Sequence, residues 1–198
     1  SVRALNQALR RIDMEIPNLS AVLLTHEHTD HIKGLATFVK KYELPVYATF
    51  GTGAAILQKL PQAKKNLRLF AGGETFSVDG LRVQSMPISH DAAEPVAYRI
   101  DGGGHQLGYV TDTGFLSDEV QQTICGCDTV VLESNHDVDM LRHGPYPFYL
   151  QQRIRGKLGH LSNEACADGA LEVVKNGAKR LVLAHLSDKN NNPLAALR

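Results

Sequence analysis

Cysteine is scarce in this chain of 198 residues: Cys125, Cys127 and Cys166 are the three present. So small and odd a number does not build a disulfide framework. Cys125-Gly126-Cys127 is C-x-C rather than C-x-x-C, so neither a zinc knuckle nor a dithiol redox pair is expected. Net charge is absent as well, with 21 basic residues balancing 21 acidic ones. No global field then draws nucleic acid or anionic membrane, and binding to a polyanion must come from a local patch or from bound metal. No apolar run approaches a membrane span and no signal peptide is legible, which makes the cytoplasm the expected location and excludes a membrane partner. What remains is 43% hydrophobic and 21% charged, an ordinary globular composition. The length suits one domain, residues 1–198, with a substantial core.

Against that plain background one stretch stands out: Thr25-His26-Glu27-His28-Thr29-Asp30-His31. It follows the apolar run Ala21 to Leu24, which reads as a buried strand. The ligand-capable residues therefore begin where a strand ends, on a loop held by a rigid scaffold. Imidazole with carboxylate suits zinc and similar divalent ions. Alternation along an extended turn points His26 and His28 one way and leaves Asp30 and His31 for a second position, a pattern for two metals. The plainer alternative is that these histidines are ordinary core or surface residues; four such groups among six residues of a chain with nine histidines argue against it.

Hydrophobic spacing gives the rest of the chain a coarse outline. Helices are predicted at 2–12, 32–42 (with Gly34 inside), 53–60, 118–124, 138–142, 147–155 and 163–176. The last begins at a Ser162 cap and ends before Gly177. Strands are predicted at 21–25, 45–48, 67–70, 75–78, 81–86, 95–100, 106–111, 128–132 and 180–184. Asp79-Gly80 and the run Asp101 to Gly104 mark hairpins. The strands fall in two runs without strict β-α-β alternation, which suggests two sheets faced by helices.

Three more metal-capable residues sit at or just past the ends of apolar strands. His90 follows 83–89, Asp112 follows 107–111, and His185 follows 181–184. Strands ending at one edge would deliver all of them to the same cleft as His26.

The order His26-x-His28-x-Asp30-His31, His90, Asp112, His185 resembles the metallo-β-lactamase superfamily along nearly the whole chain. That resemblance implies an α/β (α+β) fold, an αββα sandwich of two mixed sheets faced by helices, with a dinuclear site along one edge. It implies His26, His28 and His90 around one metal, Asp30, His31 and His185 around the other, and Asp112 bridging. An aspartate bridge is similar to the phosphodiesterase, nuclease and glyoxalase branches; the common zinc β-lactamases use a cysteine at the second metal. Further stretches, Leu132-Glu133-Ser134-Asn135-His136-Asp137 and Arg153 to Asn163, look like the bacterial YycJ/WalJ exonuclease group, relatives of ribonuclease Z and ribonuclease J. Only 72 residues separate Asp112 from His185, which leaves no room for the β-CASP insertion of ribonuclease J. Relative to that group the chain is expected to lack two N-terminal strands and a C-terminal helix and strand, and so to carry an incomplete first sheet.

The resemblance implies two divalent ions, zinc first and manganese or iron after it. A hydroxide shared by two metals would attack phosphorus in line, with Asp30 orienting it. His160, in Gly159-His160-Leu161-Ser162 before a helix, is the candidate general acid or phosphate holder. His136 is read as a substrate contact or as a brace behind the ligands. From Met140 to Asn163 there is no acidic residue, while Arg142, Arg153, Arg155 and Lys157 are interleaved with Tyr146, Phe148 and Tyr149. Such a segment suits a nucleic-acid backbone, with a ring left over to stack a base; its plainer reading is a solvated helix face above core aromatics. His105 is expected at a solvated hairpin tip. The expected reaction is exonucleolytic hydrolysis of DNA, or of RNA in its place. The competing readings are a small-molecule metallohydrolase acting on a cyclic phosphate, thioester or lactone, and a regulatory module that keeps metal without catalysis. A homodimer is the remaining partner expectation.

Overall fold

The first 70 residues alternate helix with strand, and parallel pairing follows from that alternation. In the computed structural model, which describes residues 1–198, α1 (Val2–Arg10) leads to β1 (Val22–Leu23), α2 (Thr29–Ile32), α3 (Leu35–Lys41), β2 (Val46–Thr49), α4 (Phe50–Lys59) and β3 (Leu67–Phe70). The three strands form a sheet in the order β1-β2-β3, parallel throughout. The leucine stripe of α1 reaches the core through Leu9, and Leu35, Phe38 and Val39 of α3 pack with it against Val46 and Ile56.

After β3 the chain turns to hairpins. β4 (Thr75–Val78), β5 (Leu81–Pro87), β6 (Val96–Gly102) and β7 (His105–Val110) pair antiparallel in sequence order. Asp79 and Gly80 have φ of 48° and 79°, and Gly103 and Gly104 have 58° and 79°. Paired left-handed residues are what a two-residue turn between twisted strands requires. Then α5 (Asp118–Ile124), β8 (Thr129–Glu133), α6 (Val138–His143), α7 (Phe148–Arg155), α8 (Asn163–Lys175), β9 (Arg180–Ala184) and α9 (Pro193–Ala196) follow. β8 and β9 join the second sheet parallel to β7, giving the order β4-β5-β6-β7-β8-β9.

Three apolar clusters define the layers. One lies between the helices and the first sheet. A second, of Phe70, Val83, Val96 and Tyr98, joins the two sheets. The third packs α5 and α8 on the larger sheet through Val120, Ile124, Val130, Leu132 and Val173. At roughly 1.5–3 kcal/mol for each fully buried large apolar side chain, these clusters hold the sheets back to back. This is the αββα layering that the family resemblance implies.

Two local expectations change. The helix expected over 32–42 is two short helices with a break at Lys33–Gly34. Gly34 lies against the start of α1: a Cβ there would meet the backbone nitrogen of Val2 at 3.2 Å. β1 is only two residues long, Val22–Leu23; the Leu24 N–H still donates to the Tyr47 carbonyl at 2.9 Å before the chain turns into the histidine loop. α9 and a short 3₁₀ turn at Ile16–Asn18 carry too little periodicity to be anticipated.

Strand direction places the chemistry. β5 runs parallel to β7, since each is antiparallel to β6, and β8 and β9 run with β7. The C-terminal ends of β5, β7, β8 and β9 therefore lie along one edge, and the residues that follow them arrive together.

Candidate metal centre

At that edge lies a cavity of about 410 Å³ whose lining includes His28, Asp30, His90, Asp112, His160 and His185. His26 is fully buried behind it, its ring centroid 4.6 Å from that of His28 and 4.1 Å from that of His31. All seven ligand-capable residues anticipated from the sequence are thus brought together. Their donor atoms fall into clusters within 4.8 Å, among them His26, His28 and His90; His26, His31 and Asp112; and Asp30, His31 and His185.

Five of the histidines at the site, all but His31, have one nitrogen tied down, which directs the other. His26 Nδ1 lies 3.1 Å from the Thr25 hydroxyl, and its Nε2 is buried without a hydrogen-bond partner. His28 Nε2 donates to the carbonyl of Asp91 at 3.1 Å. His90 Nδ1 donates to the carbonyl of Gly159 at 3.1 Å. His185 and His160 both donate from Nδ1 to Oε1 of Glu133 at 2.8 Å. A ring nitrogen fixed by donation to oxygen leaves its partner as a lone-pair donor, the usual arrangement of a metal-binding histidine. The freed nitrogens of His28 and His90 stand 3.2 Å apart.

Electrostatics agree with this donor set. Burial pushes His26 down to about 3, with His31 adding to the effect. Burial and the neighbouring His160 also lower His90. Both are neutral and ligand-ready at ordinary pH. For Asp112, burial works upward, but His31, His185 and His26 prevail and hold the carboxyl below the usual range. Its Oδ2 lies 3.5 Å from His31 and its Oδ1 3.4 Å from His185, while Oδ2 has no hydrogen-bond partner despite its burial. Buried polar atoms without partners are costly. Here they converge with neutral imidazoles and a carboxylate, a set that fits divalent cations.

The backbone is strained where two of these residues enter. Asp112 has φ 60° and His185 φ 57°. Left-handed conformations at residues other than glycine cost on the order of 1–3 kcal/mol and persist where the surroundings enforce them. Asn135 does so for His185: its Nδ2 donates to the His185 carbonyl at 3.0 Å, and its own carbonyl accepts from Ser187 at 2.8 Å.

Three supporting residues escaped sequence reasoning. Glu133 is wholly buried. Besides the two histidines it accepts from the backbone of Thr113 at 2.9 Å and of Leu161 at 3.2 Å. Burial works to raise it, but the hydrogen bonds from His160 and His185 lower it on balance, so it stays ionised. Glu27, inside the histidine motif, accepts from Ala93 at 2.9 Å. Glu94 accepts from Gly51 at 2.6 Å and Gly72 at 3.0 Å. Glu27 and Glu94 thereby pin the 88–95 loop, which carries His90, to the first sheet. The position of Glu133 at a strand end, like Asp112 and His185, was the available signal. Glu27 and Glu94 carried none.

The other expected contacts divide. Tyr146 and Arg153 line the cavity, and Arg142, Arg155 and Lys157 do not. Arg153 Nε donates to Asp91 at 2.6 Å. His136 is buried, away from the cavity lining, with Nδ1 unpartnered; burial and the neighbouring His160 hold it down near 4. Phe148 and Tyr149 are exposed rather than core. His105 is at the hairpin tip, as anticipated, bonded to Asp128.

Comparison with known proteins accords with this geometry. Residues 1–186 match the model described as "Beta-lactamase superfamily domain". The chain is 39% identical to exodeoxyribonuclease YycJ of Bacillus anthracis over 194 residues, 96% of this chain and 73% of that protein. It is 36% identical to exodeoxyribonuclease WalJ of Streptococcus pneumoniae, again over 96% of this chain and 72% of the relative. Among solved structures, zinc-bound PqqB of Methylobacterium extorquens superposes with a TM-score of 0.71 at 23% identity, covering 98% of this chain and 72% of that one. No helix is long and apolar enough to cross a membrane.

Proposed function

Because the chain belongs to the beta-lactamase superfamily and is a metal-dependent hydrolase, we propose that it is an exonuclease hydrolysing phosphodiester bonds of DNA at a two-metal centre. The observation that carries this reading is the convergence of His26, His28, Asp30, His31, His90, Asp112 and His185 at one cavity, whose lining also includes His160, Tyr146 and Arg153. Support for DNA comes from the two exodeoxyribonucleases that share more than a third of its residues.

In this reading His26, His28 and His90 would hold one cation and Asp30, His31 and His185 the other, with Asp112 within reach of both groups; zinc would be the first choice for both. Divalent cations there supply Lewis acidity and make water nucleophilic near neutral pH. The protein's own groups do the rest. Arg153 at the cavity wall meets a phosphate as a planar fork of donors. His160, its Nδ1–H held by Glu133, acts as the imidazolium: it gives the second proton, on Nε2, to the leaving alkoxide and returns to the neutral ring. Asp30, at the exposed side of the cluster, orients the attacking water as well as serving as a ligand.

The test is hydrolysis of three substrates: end-labelled DNA, bis(p-nitrophenyl) phosphate and a thioester. The reading expects cleavage of both phosphodiesters, loss of both in His26→Ala, and selective loss of DNA cleavage in Arg153→Ala/Arg155→Ala. Hydrolysis of the thioester alone would replace it with a small-molecule reading. His26→Ala protein cleaving DNA as fast as wild type would contradict it.

A further inference from the structure

α7 is an unusual wall for a cavity. Leu150, Arg153 and Ile154 face the cavity, yet no residue of the helix is buried. Its first two residues, Phe148 and Tyr149, are 74% and 75% exposed. Only six Phe and six Tyr occur in the whole chain, and two of these large rings stand in water at the start of a helix whose next residue, Leu150, lines the candidate site. The fold makes no use of them. Charge on the same segment is also one-sided, with Arg142, Arg153, Arg155 and Lys157 and no acidic residue between Met140 and Asn163, in a protein of zero net charge. Arg153 is paired with Asp91 at the cavity wall, about one helical turn along α7 from Tyr149.

Exposed rings next to a cationic strip match a strand whose backbone is anionic and whose bases offer flat faces. In a duplex those faces are covered by neighbouring pairs, and only an unpaired base can lie on a protein ring. We propose that Phe148 and Tyr149 are a stacking platform for an unpaired DNA end, which seats terminal bases on α7 while the backbone follows Arg153 to Lys157 toward the cavity. The inference rests on the nuclease reading and adds to it the state of the substrate: the end is taken as single strand.

Binding of a fluorescein-labelled phosphorothioate oligonucleotide, which resists turnover, tests this by anisotropy with metal-loaded protein at fixed salt. Stacking on a ring is worth about tenfold or more in affinity for each base. Phe148→Ala/Tyr149→Ala is therefore expected to bind at least tenfold more weakly, and Phe148→Tyr/Tyr149→Phe to bind as wild type does. An oligonucleotide lacking bases at its terminal positions is expected to bind wild type equally weakly, with no further loss in the alanine variant. Phe148→Leu/Tyr149→Leu keeps apolar volume without the ring and serves should the alanine variant melt early. Equal weakening of wild type and variant by the base-less end would overturn the platform, as would unchanged binding in the variant. A ring-dependent dimer in sedimentation, with no dependence on bases, would overturn it in favour of a second copy. Base-dependent binding by a wild type that cleaves no end-labelled DNA would sink the nuclease reading and leave the platform standing.

Discussion

His28 Nδ1 and His90 Nε2 face each other at 3.2 Å, and neither carries a proton to share. His28 has committed its N–H to the Asp91 carbonyl and His90 its own to the Gly159 carbonyl. Two lone pairs at that distance repel until a cation lies between them. Replacing one ring should therefore separate metal-free from metal-loaded stability. His90→Asn is expected to melt no lower than wild type in chelator, while saturating zinc raises wild type much more than the variant. At a hundredfold excess over the dissociation constant the wild-type gain is about 2.7 kcal/mol, or roughly 5–10 °C for a chain of this size. Thermal melts with and without zinc measure the difference.

Glu133 ties the two halves of the cavity by accepting from both His160 and His185. Glu133→Gln keeps the shape but turns one of its two acceptor atoms into a donor, so a histidine or a backbone N–H must lose its partner. Metal affinity is expected to fall about 10- to 100-fold, the usual effect of removing a group that orients a ligand. Competition with a chelator of known affinity reads this directly, and unchanged affinity would show that the rings hold their orientation without it.

Glu94 receives the backbone N–H groups of Gly51 and Gly72. Glu94→Ala leaves both without that partner, at about 1–3 kcal/mol for each that stays buried. The melting temperature is expected to fall by roughly 2–12 °C for each N–H left buried and unpaired in the metal-free protein. Gly51→Ala would set a Cβ 2.7 Å from the Cβ of Glu94, an atom that Glu94→Ala keeps, so it is paired with Glu94→Gly, which removes both that Cβ and the carboxylate. The double variant should then lose less than the sum of the two, which melting curves of all three will show.

Cys125 is half-buried and free, whereas Cys127 and Cys166 are buried. Burial also raises the Cys166 thiol to about 11, Ser134 offsetting a little, and raises Cys127. Thiolate is the reactive form, so at pH 8 one thiol per chain is expected to react rapidly with a chromogenic disulfide. The other two should wait for denaturant. Three fast thiols would mean that the α8 side of the core opens readily.

The residues that gather at the cavity were legible because they follow the ends of apolar runs, and strand ends on one edge must converge. Asp112 and His185 were readable in this way although their left-handed backbone was not. Glu133 has the same placement, but its role depends on two histidines arriving from residues 160 and 185, a coincidence of tertiary structure. Glu27 and Glu94 act through backbone N–H groups, which leave no trace in side-chain chemistry. The basic segment split for a similar reason: Arg153 faces the cavity, while Arg155 and Lys157 lie off its lining. The helix expected over 32–42 failed at Gly34, where close approach of α1 outweighs continuation of the helix.

Cleavage of end-labelled DNA by chelator-stripped protein, titrated with zinc or manganese while bound metal is counted by equilibrium dialysis, tests the two-metal claim most directly. The stripped protein should be inactive, and cleavage should rise with added metal and level off at two equivalents per chain. Undiminished cleavage by the stripped protein, or full activity at a single equivalent, would contradict it.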